Sequence, residues 1–131
     1  MTLGKKKLGA KGETIAASFL RNAGYRIVHR NYRVRMGEID IIAEQDDSLV
    51  FIEVKTRTDH RYGTPSESVT LQKQKKLSKI ALDYMNKLGC HNRPARFDVV
   101  AVQLPGPNKT ALRNASIEII RNAFNLCYDN E

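Results

Sequence analysis

The stretch GEIDIIAEQDDSLVFIEVKTR, Gly37 to Arg57, decides how this chain reads. Its residues alternate as two β-strands of a hairpin. Ile39, Ile41 and Ala43 are expected on one face of the first strand, and Val50, Ile52 and Val54 on one face of the second. The other face carries Glu38, Asp40 and Ile42, then Phe51, Glu53 and Lys55. A turn at Gln45-Asp46-Asp47-Ser48 pairs Glu44 with Leu49, and the same register sets Asp40 opposite Glu53 and Glu38 opposite Lys55. Two carboxylates directly opposite on one face repel each other. A bound cation is the simplest offset.

Charge along the chain frames this hairpin. The net charge is +8 over 131 residues. Residues 1–35 carry +8, with Glu13 their single acid; residues 36–60 carry −5; residues 61–96 carry +6; and residues 97–131 carry −1. The hairpin is thus an acidic island between basic blocks. A basic surface favours a polyanion such as nucleic acid through phosphate contacts and counterion release, although a soluble domain with a basic surface has the same composition. The length suits one domain, 1–131, with one core. No run of about 18 apolar residues is present to span a membrane, and the basic N-terminus lacks the apolar segment of a secretory signal. With only Cys90 and Cys127, reduced thiols and a cytoplasmic location are expected. His29, His60 and His91 are isolated, and no Cys/His spacing suggests zinc.

Around the hairpin, Ala10 to Ala23 reads as a helix with Ala16, Phe19, Leu20 and Ala23 on its apolar face and Gly24 as its stop. Glu13 falls on the buried side of that helix. It serves either the helix dipole of the first turn or a site. Tyr25 to Tyr32 reads as the first strand. Thr58 to Glu67 is a loop marked by Gly63 and Pro65. A second helix runs from about Thr70 to Leu88, with Leu77, Ile80, Ala81, Tyr84, Met85 and Leu88 in helical spacing and Gly89 as its cap. Its first turns hold Lys73, Lys75, Lys76 and Lys79, either a solvated face or a phosphate-tracking surface. Arg96 to Leu104 is a strand buried on both faces, Ser116 to Arg121 is a last strand, and Asn122 to Glu131 is a tail. The order α-β-β-β-α-β-β gives a mixed sheet with helices packed on it. The second helix serves as the crossover between parallel neighbours.

Asp40, Glu53 and Lys55 form a D-x12-E-x-K pattern. Glu53 and Lys55, two apart on a strand, point to the same side. Two carboxylates with a main-chain carbonyl, naturally that of Val54, are hard oxygen ligands suited to Mg²⁺ or Mn²⁺. Such an ion could acidify a bound water and polarise a phosphodiester. Lys55 could hold the water or neutralise charge developing on phosphate, and Glu13 could be a third carboxylate. The alternative is a solvent-facing ion-pair cluster of Glu38, Asp40, Glu53 and Lys55. Arg33, Arg35, Arg57 and Arg61 are further possible phosphate contacts. Asp98, between Phe97 and Val99, supports either the fold or the site from behind.

The chain resembles the YraN family of small bacterial proteins, related in turn to restriction-endonuclease-like enzymes of the PD-(D/E)XK superfamily and to archaeal Holliday-junction resolvases. The resemblance spans about residues 9–103, leaving 104–131 as a C-terminal strand and tail. It rests on Gly9-x-x-Gly12-Glu13, on Asn31 with Gly37-Glu38-Ile39-Asp40, on Phe51-Ile52-Glu53-Val54-Lys55-x-Arg57, on Gly63 and Pro65, and on Arg96-Phe97-Asp98-Val99-Val100. It implies an α/β fold with a restriction-endonuclease-like αβββαβ core, a mixed central sheet flanked by helices. It also implies that Asp40, Glu53 and Lys55 hold the nuclease positions, with Glu13 as the helix-borne acid. Ile39 stands where the superfamily motif has its proline. The relatives imply DNA as the partner, with a preference for branched DNA, and a preference of that kind calls for a homodimer, since two strands need two sites. Three functions follow for testing: a metal-dependent DNA nuclease, a nucleic-acid-binding module without cleavage, and a scaffold whose acids only pair internally or bind a structural ion.

Overall fold

The turn of the hairpin is a two-residue loop. Gln45 pairs with Ser48, and Asp46 takes the left-handed conformation (φ 52°) that tight hairpin turns require. The computed structural model describes residues 2–58, 69–90, 92–104 and 115–126, with side chains from residue 9. Helix α1 (Thr2–Asn22) precedes strands β1 (Arg26–Val34), β2 (Gly37–Gln45) and β3 (Ser48–Arg57). Helix α2 (Leu71–Leu88), β4 (Ala95–Gln103) and β5 (Ser116–Phe124) follow. The strands lie in the order β1-β2-β3-β4-β5, all neighbours antiparallel except β3 and β4. This is the mixed α/β sheet expected, with the element order of an αβββαβ core. Among the described residues no helix is long and apolar enough to cross a membrane.

Each face of the sheet has its own helix and its own core. Ile15, Ala16, Ala17 and Leu20 of α1 pack on Ile41, Ala43, Val50, Ile52, Val100 and Val102. On the other face Leu77, Ile80, Ala81, Tyr84 and Met85 of α2 pack on Ile42, Leu49, Phe51, Phe97 and Val99. The central strands β3 and β4 are therefore apolar on both faces, as buried parallel strands are. Both helices stop alike: Gly24 (φ 95°) and Gly89 (φ 65°) turn left-handed, and the next residues, Tyr25 and Cys90, bond back to Leu20 and Met85 at 2.9 and 3.0 Å. At the start of α2 the Thr70 hydroxyl accepts from the Lys73 N–H at 3.2 Å.

Several expectations are corrected. Helix α1 begins at Thr2, not Ala10. Its buried face is Ile15-Ala16-Ala17-Leu20; Phe19 is half-buried and Ala23 exposed, because the Gly24 stop carries Ala23 away from the sheet. β1 runs on to Val34, and β5 to Phe124 where a tail was expected, since Phe97 pairs with Phe124 and their rings stack at 4.6 Å. The strict alternation of β2 also fails. Ile41 and Ala43 face α1, but Ile39 joins the α2 core with Ile42. The loop with Gly63 and Pro65, along with His60, Arg61, His91 and Cys127, lies outside the described residues.

Asp98 is fully buried, on the α1 side of β4. It accepts from the Tyr25 hydroxyl (2.8 Å), the Asn122 N–H (2.9 Å) and Arg96 Nε (3.0 Å). Arg96 in turn reaches Gln45 at 2.5 Å. One carboxylate thus ties the α1–β1 junction to β4 and to the irregularity of β5 at Asn122 (φ 53°). Its role is structural.

Candidate metal and nucleic-acid site

The β2–β3 ladder runs from Gln45↔Ser48 through Ile41↔Ile52 and stops there. The register is the one expected, yet Asp40 and Glu53 do not form a cross-strand pair, and neither do Glu38 and Lys55. The neighbouring strand β1 changes face at the same level. Asn31 adopts a left-handed conformation (φ 54°) between Arg30, paired with Ile41, and Tyr32, paired with Ile39. Arg30 reaches Thr14 on the α1 side, whereas Tyr32 packs its ring on Tyr84 of α2. The pairing register is kept across this point, its shift lying earlier, between Ile27 and His29, but the side chains change face in both strands, and Ile39 lies on the α2 face. Asp40 is left to accept the Val54 N–H through its side chain, at 2.8 Å. A residue's N–H and C=O point to the same edge of a strand, so the Val54 carbonyl faces the same gap.

Four acids approach this gap from three directions. Glu53 faces α2 from β3 and is buried, 7% exposed. Its Oε2 receives Lys73 Nζ of α2 at 2.6 Å and Lys55 Nζ at 3.4 Å. Glu38 of β2 lines the same cleft and is paired with Arg33 at 2.8 Å. Glu13 comes from α1, on the side of Arg30 and Asn31, and feels the charges of Glu38 and Glu53. Its placement follows from Gly12: a Cβ there would sit 1.8 Å from the Thr56 hydroxyl, so α1 lies directly against β3.

Electrostatics follow this crowding. Asp40 is pushed up to about 7, first by burial and then by the Glu53 charge, with the Val54 N–H opposing and Glu13 and Glu38 adding to the rise. Burial and then Glu38 also raise Glu13, against Arg30 and Asn31. For Lys73, burial favours the neutral amine, but the hydrogen bond to Glu53 and the charges of Glu53 and Asp40 outweigh it and raise the pKa.

The predicted basic residues divide. A cleft of about 270 Å³ is lined by Gly37, Glu38, Asp40, Glu53, Lys73 and Lys76, closed by Leu77 and Ile80. Lys73 and Lys76 thus belong to the acidic site. Lys75 and Lys79 are exposed and are not among the residues lining this cleft; Lys75 is turned about 200° from Lys73 around α2 at 100° per residue. Arg35 is exposed in the turn before Gly37, and Arg57 is half-buried at the end of β3. Sequence reasoning missed the contact of Lys73 with Glu53, the left-handed Asn31 and the pairing of Glu38 with Arg33 in place of Lys55. An asparagine inside an apparent strand was the one signal, since Asn tolerates the left-handed region.

The arrangement offers two carboxylates and a carbonyl at one gap. Among the described residues no three His, Cys, Asp or Glu side chains converge closely enough to hold a metal ion. Hard oxygen donors few in number suit Mg²⁺, which keeps several waters.

The sequence model of the family described as Uncharacterised protein family UPF0102 matches residues 12–102, a span that includes every acid of this site. A UPF0102 protein of Clostridium botulinum is 48% identical over 92% of this chain and 96% of its own length. One of Symbiobacterium thermophilum is 49% identical over 91% and 97%, and one of Moorella thermoacetica 44% over 95% and 100%. The chain belongs to the UPF0102 family.

Proposed function

We propose that this protein is a divalent-metal-dependent nuclease of the restriction-endonuclease-like class, hydrolysing phosphodiester bonds in DNA. One observation carries the reading: the β2–β3 ladder opens at the acids, leaving Asp40 on the Val54 N–H and Glu53 beside it under two ammonium groups. Asp40 and Glu53, with the Val54 carbonyl, would hold Mg²⁺ or Mn²⁺. The ion when bound supplies Lewis-acid polarisation of the phosphate and acidification of a water. Lys55, 3.4 Å from Glu53, orients that water and neutralises charge developing on the phosphate. Glu13 reaches the water shell from α1. Lys76, with Arg35 and Arg57 nearer the strand ends, meets the flanking phosphates.

A second reading, a nucleic-acid-binding protein that does not cut, is favoured by one feature. Lys73 already neutralises Glu53 at 2.6 Å, so the site is satisfied without a metal. One experiment separates the two: linear, nicked and four-way-junction DNA incubated with Mg²⁺, Mn²⁺ or EDTA, alongside Glu53→Ala and Lys55→Ala. Metal-dependent cutting abolished by both substitutions supports the nuclease. Binding that survives both without cutting supports the second reading. A preference for the junction, together with a dimer in solution, would extend the first reading to branched DNA.

A further inference from the structure

We propose that Lys73 is the tethered counter-cation of this site: it occupies the position of the divalent ion in the metal-free protein and is displaced outward, toward substrate phosphate, when the ion binds. The proposal rests on reading Asp40 and Glu53 as a metal site, and goes beyond it by assigning the group that the metal must move.

Three observations support it. First, among the described residues Lys73 Nζ is the closest cation to Glu53, 2.6 Å from its Oε2 against 3.4 Å for Lys55, and it feels the charge of Asp40 as well. A divalent ion shared by Asp40 and Glu53 would meet that ammonium head on. Second, the two lysines differ in what holds them. Lys55 stands on central strand β3, its side chain 23% exposed. Lys73 stands on the first turn of α2, its side chain 42% exposed at the helix surface while the Thr70 cap fixes its backbone. Third, there is somewhere for it to go. A second cleft, lined by Thr70, Gln72, Lys73 and Lys76, adjoins the first along the same two lysines. An ammonium swung into it would stand beside Lys76, where two like charges need an anion between them. A DNA phosphate supplies that anion. Metal binding would thereby turn Lys73 from an internal partner into a substrate contact.

The test is Mn²⁺ binding to the full chain without DNA, by calorimetry, for wild type, Lys73→Met and Lys73→Arg. Loss of a competing, half-exposed ion pair is expected to tighten Mn²⁺ binding about five-fold in Lys73→Met, while Lys73→Arg keeps the weaker wild-type affinity. A second measurement needs no variant: acetylation of Lys73 in the wild-type protein, followed by mass spectrometry, is expected to speed up at least about two-fold on adding Mn²⁺, by linkage. Unchanged or weaker binding by folded Lys73→Met, or Lys73 reactivity indifferent to Mn²⁺, overturns the proposal while leaving the metal site standing. If neither wild type nor Lys73→Met takes up Mn²⁺ at millimolar concentration, the metal reading fails and this proposal with it.

Discussion

The Val54 backbone N–H donates to the Asp40 carboxylate at 2.8 Å, where β2 and β3 cease to pair. A side chain has replaced a strand as the partner of that amide. The exchange fixes the acid in place and keeps it in a poorly solvated gap beside Glu53, Glu13 and Glu38, which is why its carboxyl is pushed up to about 7.

That displacement makes stability pH-dependent with a definite sign. In the unfolded chain Asp40 titrates near the ordinary aspartate value of about 3.9. Between there and about 7 the folded protein binds the extra proton. Stability is therefore fully present below about pH 4, falls as pH rises through this window, and stays reduced above it. Asp40→Asn cannot ionise but keeps an oxygen for Val54. It is expected to gain about 1–3 kcal/mol over wild type at pH 8 and almost nothing at pH 4, while losing Mn²⁺ uptake. Urea melts at the two pH values check this; an equal difference at both would sink it.

Gly12 and Thr56 set how closely α1 approaches the site. Gly12→Ala forces a methyl to within 1.8 Å of the Thr56 hydroxyl, an overpacking expected to cost about 1–3 kcal/mol even though alanine is the better helix former. Thr56→Ala in the same chain removes the closest clashing atom, so the double mutant should be less destabilised than the two single effects added together. Thermal melts of the four proteins decide it, and strict additivity would mean that the helix does not rest there.

Asp98 and Asp40 are both acids that accept a backbone N–H where a ladder is interrupted, from Asn122 and Val54 respectively. Their surroundings separate their roles. Asp98 is enclosed and also takes Tyr25 and the half-buried Arg96, so Asp98→Ala leaves the Tyr25 hydroxyl and the Asn122 N–H without their acceptor and should cost about 2–4 kcal/mol. Tyr25→Phe should cost about 1 kcal/mol. Neither belongs to the proposed metal site. Folded Tyr25→Phe is expected to bind Mn²⁺ as wild type does, and a loss of Mn²⁺ affinity would place Asp98 in the site after all.

These residues mark what could be read from sequence. The Gly89 cap of α2 is local chemistry, legible from a few adjacent residues, and stands as expected; Thr70, read only as the approximate start of the helix, is its N-cap. The hairpin register was legible too, because Asp46-Asp47 leaves the turn little choice. The end of the ladder was not. It coincides with a change of face beside the left-handed Asn31, in a different strand, which the alternation of β2 read alone does not display. The direction of Lys73 was hidden for a similar reason: four lysines in seven residues look alike until Leu77 and Ile80 dock and fix the rotation of α2 on the sheet.

That rotation makes the lysines unequal toward DNA. Lys76 shares the acidic cleft, while Lys75 is exposed, turned about 100° from it around α2 and not among the residues that line the cleft. If the strand runs over the cleft, Lys76→Gln removes one phosphate contact, and the slope of log affinity against log salt should shrink by about one. Lys75→Gln, one residue away and of equal charge, should leave the slope almost unchanged. Net charge falls by one in both variants, so a generic attraction of a basic protein to DNA predicts equal losses, whereas a bound path over the cleft predicts unequal ones. Fluorescence anisotropy on a labelled duplex across a salt series distinguishes them; equal slopes for the two variants would show that the cleft is not where DNA lies.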